Sequence, residues 1–142
     1  MNETLQVIAK RRSVRHYNPT PLTPEEKNIL LTSAQRAPTA GNLMLYSIIE
    51  IEDQALKDRL AVTCDNQPFI ARAPLVLIFA ADYQRQYDLF MAAHVEEKCR
   101  EKGIAPRAPD VGDMLLACCD ALIAAQTAVI AAESMGIGSC YI

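Results

Sequence analysis

Lys10-Arg11-Arg12-Ser13-Val14-Arg15 places three guanidiniums and a hydroxyl within five residues. Arginine forks donate in pairs to phosphate oxygens, and a serine hydroxyl adds a short-reach bond. The run therefore has the makings of a phosphate-binding segment. A solvated basic turn has the same composition, and on charge alone that simpler reading is favoured. A nucleic-acid patch is weaker still, because the run is one cluster without an aromatic platform around it. Pro38-Thr39-Ala40-Gly41-Asn42 is a second candidate. Small residues let a backbone approach a ligand closely, and an Asn amide both donates to and accepts from a heterocycle edge. Taken alone it reads better as a helix-to-strand turn with Asn42 in the left-handed region. Asn66-Gln67 is the third, an amide pair suited to an imide-like ring edge. It reads as a polar turn unless the first two segments converge on it.

Other chemistries find no support. There is no Walker-type loop, no GxSxG and no HExxH. His16 and His94 have no partner at metal or triad spacing, and His94 reads as solvated. Asp113 and Asp120 share a helix face seven residues apart and read as caps or interface polar groups, not as a catalytic pair. Five cysteines, an odd number without a CxxC, read as reduced and mostly buried thiols of a cytoplasmic protein. The net charge of −3 disfavours wholesale binding to nucleic acid. The N-terminus lacks the pattern of a signal peptide. The longest uncharged apolar run of the last helix, 121–132, is shorter than the ~20 residues a membrane span needs.

The elements that must hold these segments follow from periodicity and punctuation. The 142 residues, 51% hydrophobic and 22% charged, read as one globular domain over 1–142. Residues 3–10 form a short amphipathic helix. Thr23-Pro24-Glu25-Glu26 is a helix start with a capping box, and the helix runs to about Arg36 before Pro38. Residues 45–51 form a strand, 54–64 a helix, and 75–81 a continuous apolar run expected of a central strand covered on both faces. A helix over 84–102 stops at Gly103. Asp110 caps the longest helix, 110–135, which is apolar almost all round and must thread the fold or form a dimer interface. Gly136 and Gly138 end it, and 139–142 begin a strand. The order ααβαβααβ is α+β, or mixed α/β. The chain stops at Ile142 in mid-strand without a polar tail, an ending that suggests part of a larger protein.

In order and spacing, these segments resemble the nitroreductase family of FMN-dependent oxidoreductases. The resemblance runs from Arg11-Arg12-Ser13-Val14-Arg15-His16-Tyr17 through Ala37-Pro38-Thr39-Ala40-Gly41-Asn42 and Gln67 to the ending from Ala131 to Ile142. It is greatest to the oxygen-insensitive NADPH nitroreductase and flavin reductase branch. The resemblance implies a nitroreductase-like fold: a central sheet flanked by helices, a long buried central helix, and a homodimer with FMN sites at the subunit interface. It implies that Arg11, Arg12 and Ser13 hold the FMN phosphate and that Arg15 lies near the ribityl chain and pyrimidine edge. Gln67 would contact that edge, and Thr39 and Asn42 would line the site from the same or the partner subunit. NAD(P)H is the implied electron donor, and a nitroaromatic, quinone or flavin the acceptor. The flavin carries the chemistry, so no catalytic side chain or metal is expected. Family members continue past the position of Ile142, so the 142 residues alone are expected to hold FMN weakly or not at all. A non-catalytic remnant that dimerises without flavin, and a module for other phosphorylated ligands, are the alternatives.

Overall fold

The computed structural model describes residues 1–142. Helices α1 (Glu3–Lys10) and α2 (Pro24–Gln35) come first. The capping box of α2 is present: the Thr23 hydroxyl accepts from the Glu26 N–H at 3.2 Å, and the Glu26 carboxylate accepts from the Thr23 N–H at 2.7 Å. Strand β1 (Tyr46–Glu50) is followed by α3 (Gln54–Thr63) and a short helix α4 (Phe69–Arg72) that periodicity did not announce. Strand β2 (Leu77–Ala81) pairs antiparallel with β1, Tyr46 opposite Ala81 and Glu50 opposite Leu77.

The expected single helix over 84–102 is instead two, α5 (Gln84–Ala92) and α6 (Val95–Glu101). His94 sits between them in the left-handed region at φ +55°. Its N–H closes the end of α5 on the Met91 carbonyl and its carbonyl starts α6, while the Lys98 ammonium holds the Ala93 carbonyl. Helix α7 (Val111–Ser134) carries the Asp110–Asp113 capping box and ends at Gly136, φ +76°. There the Gly136 and Ile137 N–H groups bond back to the Glu133 and Ala132 carbonyls, a left-handed stop that suits glycine.

Ala117, Ala121, Ala124, Ala125, Ala128 and Ala132 are buried on α7 at helical spacing. The small side chains let α2 and the sheet approach closely, and Ala34, Ala37 and Tyr46 complete that core. A second cluster forms around Ala61, Phe69 and Ile70.

Four further expectations need correction. Helix α7 is not buried on most sides: Leu115, Leu122 and Ile123 are exposed on the side away from the alanine face, and Val111 and Met114 are exposed in its first turn. By length and composition its 24 residues match a membrane span, but its alanine face is core. Strand β2 is not a central strand, since the sheet has two strands. Asp82 N–H bonds to the Leu45 carbonyl and Ile51 N–H to the Val76 carbonyl. Alternation along an antiparallel ladder then turns the backbone groups of Leu77, Phe79 and Ala81 to the other, open edge. The strand expected at 139–142 is a single parallel bridge between Ser13 and Ser139. The cysteines are free but not deeply buried; four are half-buried and Cys119 is exposed.

Candidate functional site

The basic run leaves α1 as an extended segment. Val14 N–H donates to the Ser139 carbonyl at 2.9 Å, which straps the segment to the chain just past α7. Gly138 makes this possible. A Cβ there would lie 2.8 Å from a Val14 methyl and 2.9 Å from the Val14 Cβ, closer than packed atoms tolerate. The strap leaves Arg12, Ser13 and Arg15 exposed and Arg11 half-buried. None of the three arginines forms an ion pair or side-chain hydrogen bond within the chain, so their donors stay free for an anion. The Arg11 charge lies near enough to Tyr141 to oppose the upward push that burial gives its hydroxyl.

Arg15 carries the run toward the third candidate segment. Its guanidinium lies over the Phe69 ring, 5.7 Å from the centroid. Such a contact stabilises by about 0.5–1 kcal/mol near solvent, and it fixes the direction of the side chain. Tyr17 packs against the same ring, centroids 6.4 Å apart. Burial, then Cys140, raises the Tyr17 hydroxyl, and the Arg15 charge opposes them. Phe69 is buried and stands two residues after Gln67.

The Gln67 turn is built by Asp65 and Asn66, both left-handed at φ +62° and +51°. They reverse the chain so that Gln67 N–H reaches the Ala61 carbonyl at 2.7 Å. The Gln67 side chain donates to the Cys64 carbonyl at 2.9 Å, leaving its oxygen and second N–H available. The basic run thus meets the segment after Gln67 through Phe69, but the second candidate segment does not join them within the chain, so the full convergence that would give Gln67 a role is not present in one subunit.

Thr39 and Asn42 are elsewhere. Their loop contains a short helical turn over Ala40–Asn42, with Gly41, Asn42 and Met44 all at positive φ. The Thr39 hydroxyl accepts from Met44 N–H at 3.2 Å, so it braces its own loop. The loop is held to mid-α7 by Asp120, which is 2% exposed. One carboxylate oxygen accepts from Ala40 N–H at 3.3 Å and the other from Leu45 N–H at 3.2 Å. The basic run is strapped beyond the far end of α7. At 1.5 Å per residue, Asp120 and the end of α7 are roughly 20 Å apart along the helix. Within one chain the structure seats Arg15 on Phe69, two residues from Gln67, carries Arg11, Arg12 and Ser13 on the same strapped segment, and leaves Thr39 and Asn42 apart.

An open cleft of about 1340 Å³ lies between the N-terminal segment, the free edge of β2 and α7. It is lined mainly by hydrophobic side chains, among them Phe79, Val129 and Tyr141. Of the seven candidate residues only Arg12 borders it. Tyr17 and Phe69, the ring that seats Arg15, also line it, so the candidate site is the cationic surface where the N-terminal segment borders this cleft.

Sequence reasoning missed Phe69, Asp120 and Gly138. Phe69 carried no reading of its own, Gly138 read as a helix stop, and Asp120 as a cap or interface polar group. Asp120 had one signal: apart from Glu133 it is the only charged residue between Asp113 and the end of the chain.

The family model described as "Nitroreductase family" matches residues 8–142. The "FMN reductase (NADPH)" of Bacillus subtilis is 37% identical over 142 residues, which is 100% of this chain and 54% of that protein. Among solved structures, the NfrA1 nitroreductase of B. subtilis superposes with a TM-score of 0.81 at 34% identity, covering 96% of this chain and 52% of the other. The NADPH:FMN oxidoreductase of Vibrio harveyi, solved with NAD+, superposes with a TM-score of 0.83 at 28% identity, covering 96% and 54%. The chain spans about half the length of these relatives.

Proposed function

The chain belongs to the nitroreductase family, and from that premise we propose that it is an FMN-dependent oxidoreductase of the cytoplasm. NAD(P)H is its electron donor and a nitroaromatic, quinone or flavin its acceptor. The observation that carries this reading is the seating of Arg15 on Phe69, which fixes one unpaired guanidinium against a ring two residues from Gln67. The residues present fit the cofactor. Arg11, Arg12 and Ser13 offer donors to a phosphate that no carboxylate of the chain competes for. Gln67 keeps a donor and an acceptor for the pyrimidine edge. When bound, FMN supplies the chemistry: hydride acceptance from NAD(P)H and electron delivery to the acceptor. Arg15, its direction fixed by Phe69, would supply a positive charge toward the pyrimidine edge of a bound flavin, where it would stabilise negative charge without reorganising. The exposed apolar face of α7 supports assembly as a homodimer. No side chain is needed as acid, base or nucleophile.

The test is the visible spectrum of the purified protein after soaking with FMN and removing the excess, followed by titration of Arg15→Ala. Weak FMN binding is expected of the 142 residues, read as a flavin difference spectrum on titration. The variant is expected to bind FMN about tenfold to a hundredfold more weakly, as loss of a charge-assisted contact does. A colourless protein whose weak FMN affinity is the same in Arg15→Ala would overturn the assignment. Preference for another phosphorylated ligand would replace it with a binding module.

A further inference from the structure

A carboxylate sunk in an alanine-lined core needs a reason. Asp120 is 2% exposed, and its neighbours on the buried face of α7 are Ala117, Ala121 and Ala124. No cation pairs with it. Burying an unpaired polar group is costly unless hydrogen bonds replace its water. Here both oxygens are used, and both on the same loop: Ala40 N–H on one, Leu45 N–H on the other. The two donors bracket a loop in which Gly41, Asn42 and Met44 are all left-handed, at φ +57°, +56° and +52°. Asn42 and Met44 adopt that region at a cost that surrounding contacts must offset. Met44 N–H is held by Thr39, whereas Ala40 and Leu45 reach across to α7. The same carboxylate reaches the start of β1, where after burial it helps to raise the Tyr46 hydroxyl.

We propose that Asp120 is the positioning residue of the Thr39–Asn42 loop: two backbone hydrogen bonds from mid-α7 set the strained loop conformation that presents Thr39 and Asn42 to the flavin. This deepens the functional reading above and rests on its assignment of Thr39 and Asn42 to the flavin site. Asp120 acts on the cofactor only through the loop. Two acceptors are required. An amide at position 120 offers one oxygen and turns an NH2 against the second backbone donor, so Asp120→Asn is nearly isosteric yet fails at one of the two bonds.

The experiment uses the FMN-loaded protein, with Asp120→Asn, Thr39→Ala and Asn42→Ala prepared beside the parent. Three quantities are read: FMN affinity, the visible circular dichroism of the bound flavin, and amide hydrogen exchange resolved at Ala40 and Leu45. Asp120→Asn is expected to accelerate exchange at one or both of these amides while amides elsewhere in α7 keep their protection. It is expected to weaken FMN binding about tenfold, the factor that loss of one hydrogen bond to a charged group produces. The flavin dichroism should shift in the same sense as in Thr39→Ala or Asn42→Ala. A merely structural role would lower stability without moving the dichroism. If the loop variants weaken FMN binding and Asp120→Asn frees the amides without touching affinity or dichroism, the positioning role is overturned and the site assignment stands. If neither loop variant changes affinity or dichroism, Thr39 and Asn42 leave the flavin site and the role of Asp120 toward it goes with them.

Discussion

At the scale of single residues, the charges of this protein divide into two kinds. Arg11, Arg12 and Arg15 face outward without partners, whereas Arg107 is fully engaged with Asp113 at 3.0 and 2.9 Å and with Asp110 at 3.3 Å. The first kind is available to a ligand; the second holds the start of α7. The Arg107 hydrogen bond, then the Asp110 N–H, keeps the Asp113 carboxyl below its ordinary range. A carboxyl lowered in the folded state stabilises fully above its unfolded value of about 3.9, and the contribution fades as pH falls through the lower folded value. Below about pH 4, then, the parent should lose stability faster than Asp113→Asn, and the two acid-denaturation curves should converge. Parallel curves would show that the pair contributes nothing to the slope. Sequence reasoning found Asp110 and Asp113 as cap and first-turn anion, because capping is local. It did not find Arg107 as their partner, nor the carbonyl of Cys64 as the partner of Gln67. Those contacts depend on where a loop folds back, which spacing does not encode.

The elements show the same division between local and non-local information. Helices α1, α2, α3 and α7 and both strands lie within a residue or two of where periodicity and punctuation put them. What failed was continuity. The 84–102 helix breaks at His94, whose left-handed backbone no punctuating residue announces. The last strand shrinks to one bridge, since a strand needs a neighbour along its length and Ser139 finds one only at Ser13. Apolar composition marked 75–81 as a strand but not how many strands lie beside it. Gly138 shows how much function such a non-local contact holds. It was legible as a helix stop, but Gly136 with its positive φ does that work. Gly138 admits Val14 at a distance no side chain permits, and so aims the basic run. Gly138→Ala must push the N-terminal segment away. Overpacking of this kind costs about 1–3 kcal/mol, read in urea denaturation. FMN affinity should fall with it even though no donor is removed. A variant with parental stability and affinity would mean that the strap plays no part in placing the arginines.

At the scale of the whole molecule, the separation along α7 is the decisive geometry. Arg11–Arg15 are strapped beyond its C-terminal end, while Asp120 fixes Thr39 and Asn42 near its middle. Helix α7 also leaves Leu122 and Ile123 exposed, 62% and 40%, on the face opposite its alanines. A twofold pairing of such faces sets each α7 against its copy, so that a loop of one subunit can meet the basic run of the other. Each flavin site would then take its arginines and Gln67 from one chain and Thr39 and Asn42 from its partner. That arrangement has a signature that no single-chain site shares. In a mixed dimer of Arg15→Ala and Asn42→Ala subunits, one site collects both defects and the other collects none. Co-expressing the two variants with different affinity tags and isolating the doubly tagged dimer should therefore recover one intact FMN site per dimer, with parental affinity at half the parental stoichiometry. If both groups served the same site from the same chain, every site would keep one defect, and the mixed dimer would bind as poorly as the variants it was made from. Leu122→Glu adds the control at this scale. In the proposed α7 interface it would place two carboxylates, one per subunit, where burial of unpaired charge opposes association. Sedimentation should show monomers. A dimer that survives this change would move the interface off α7 and remove the geometric basis for sharing the site.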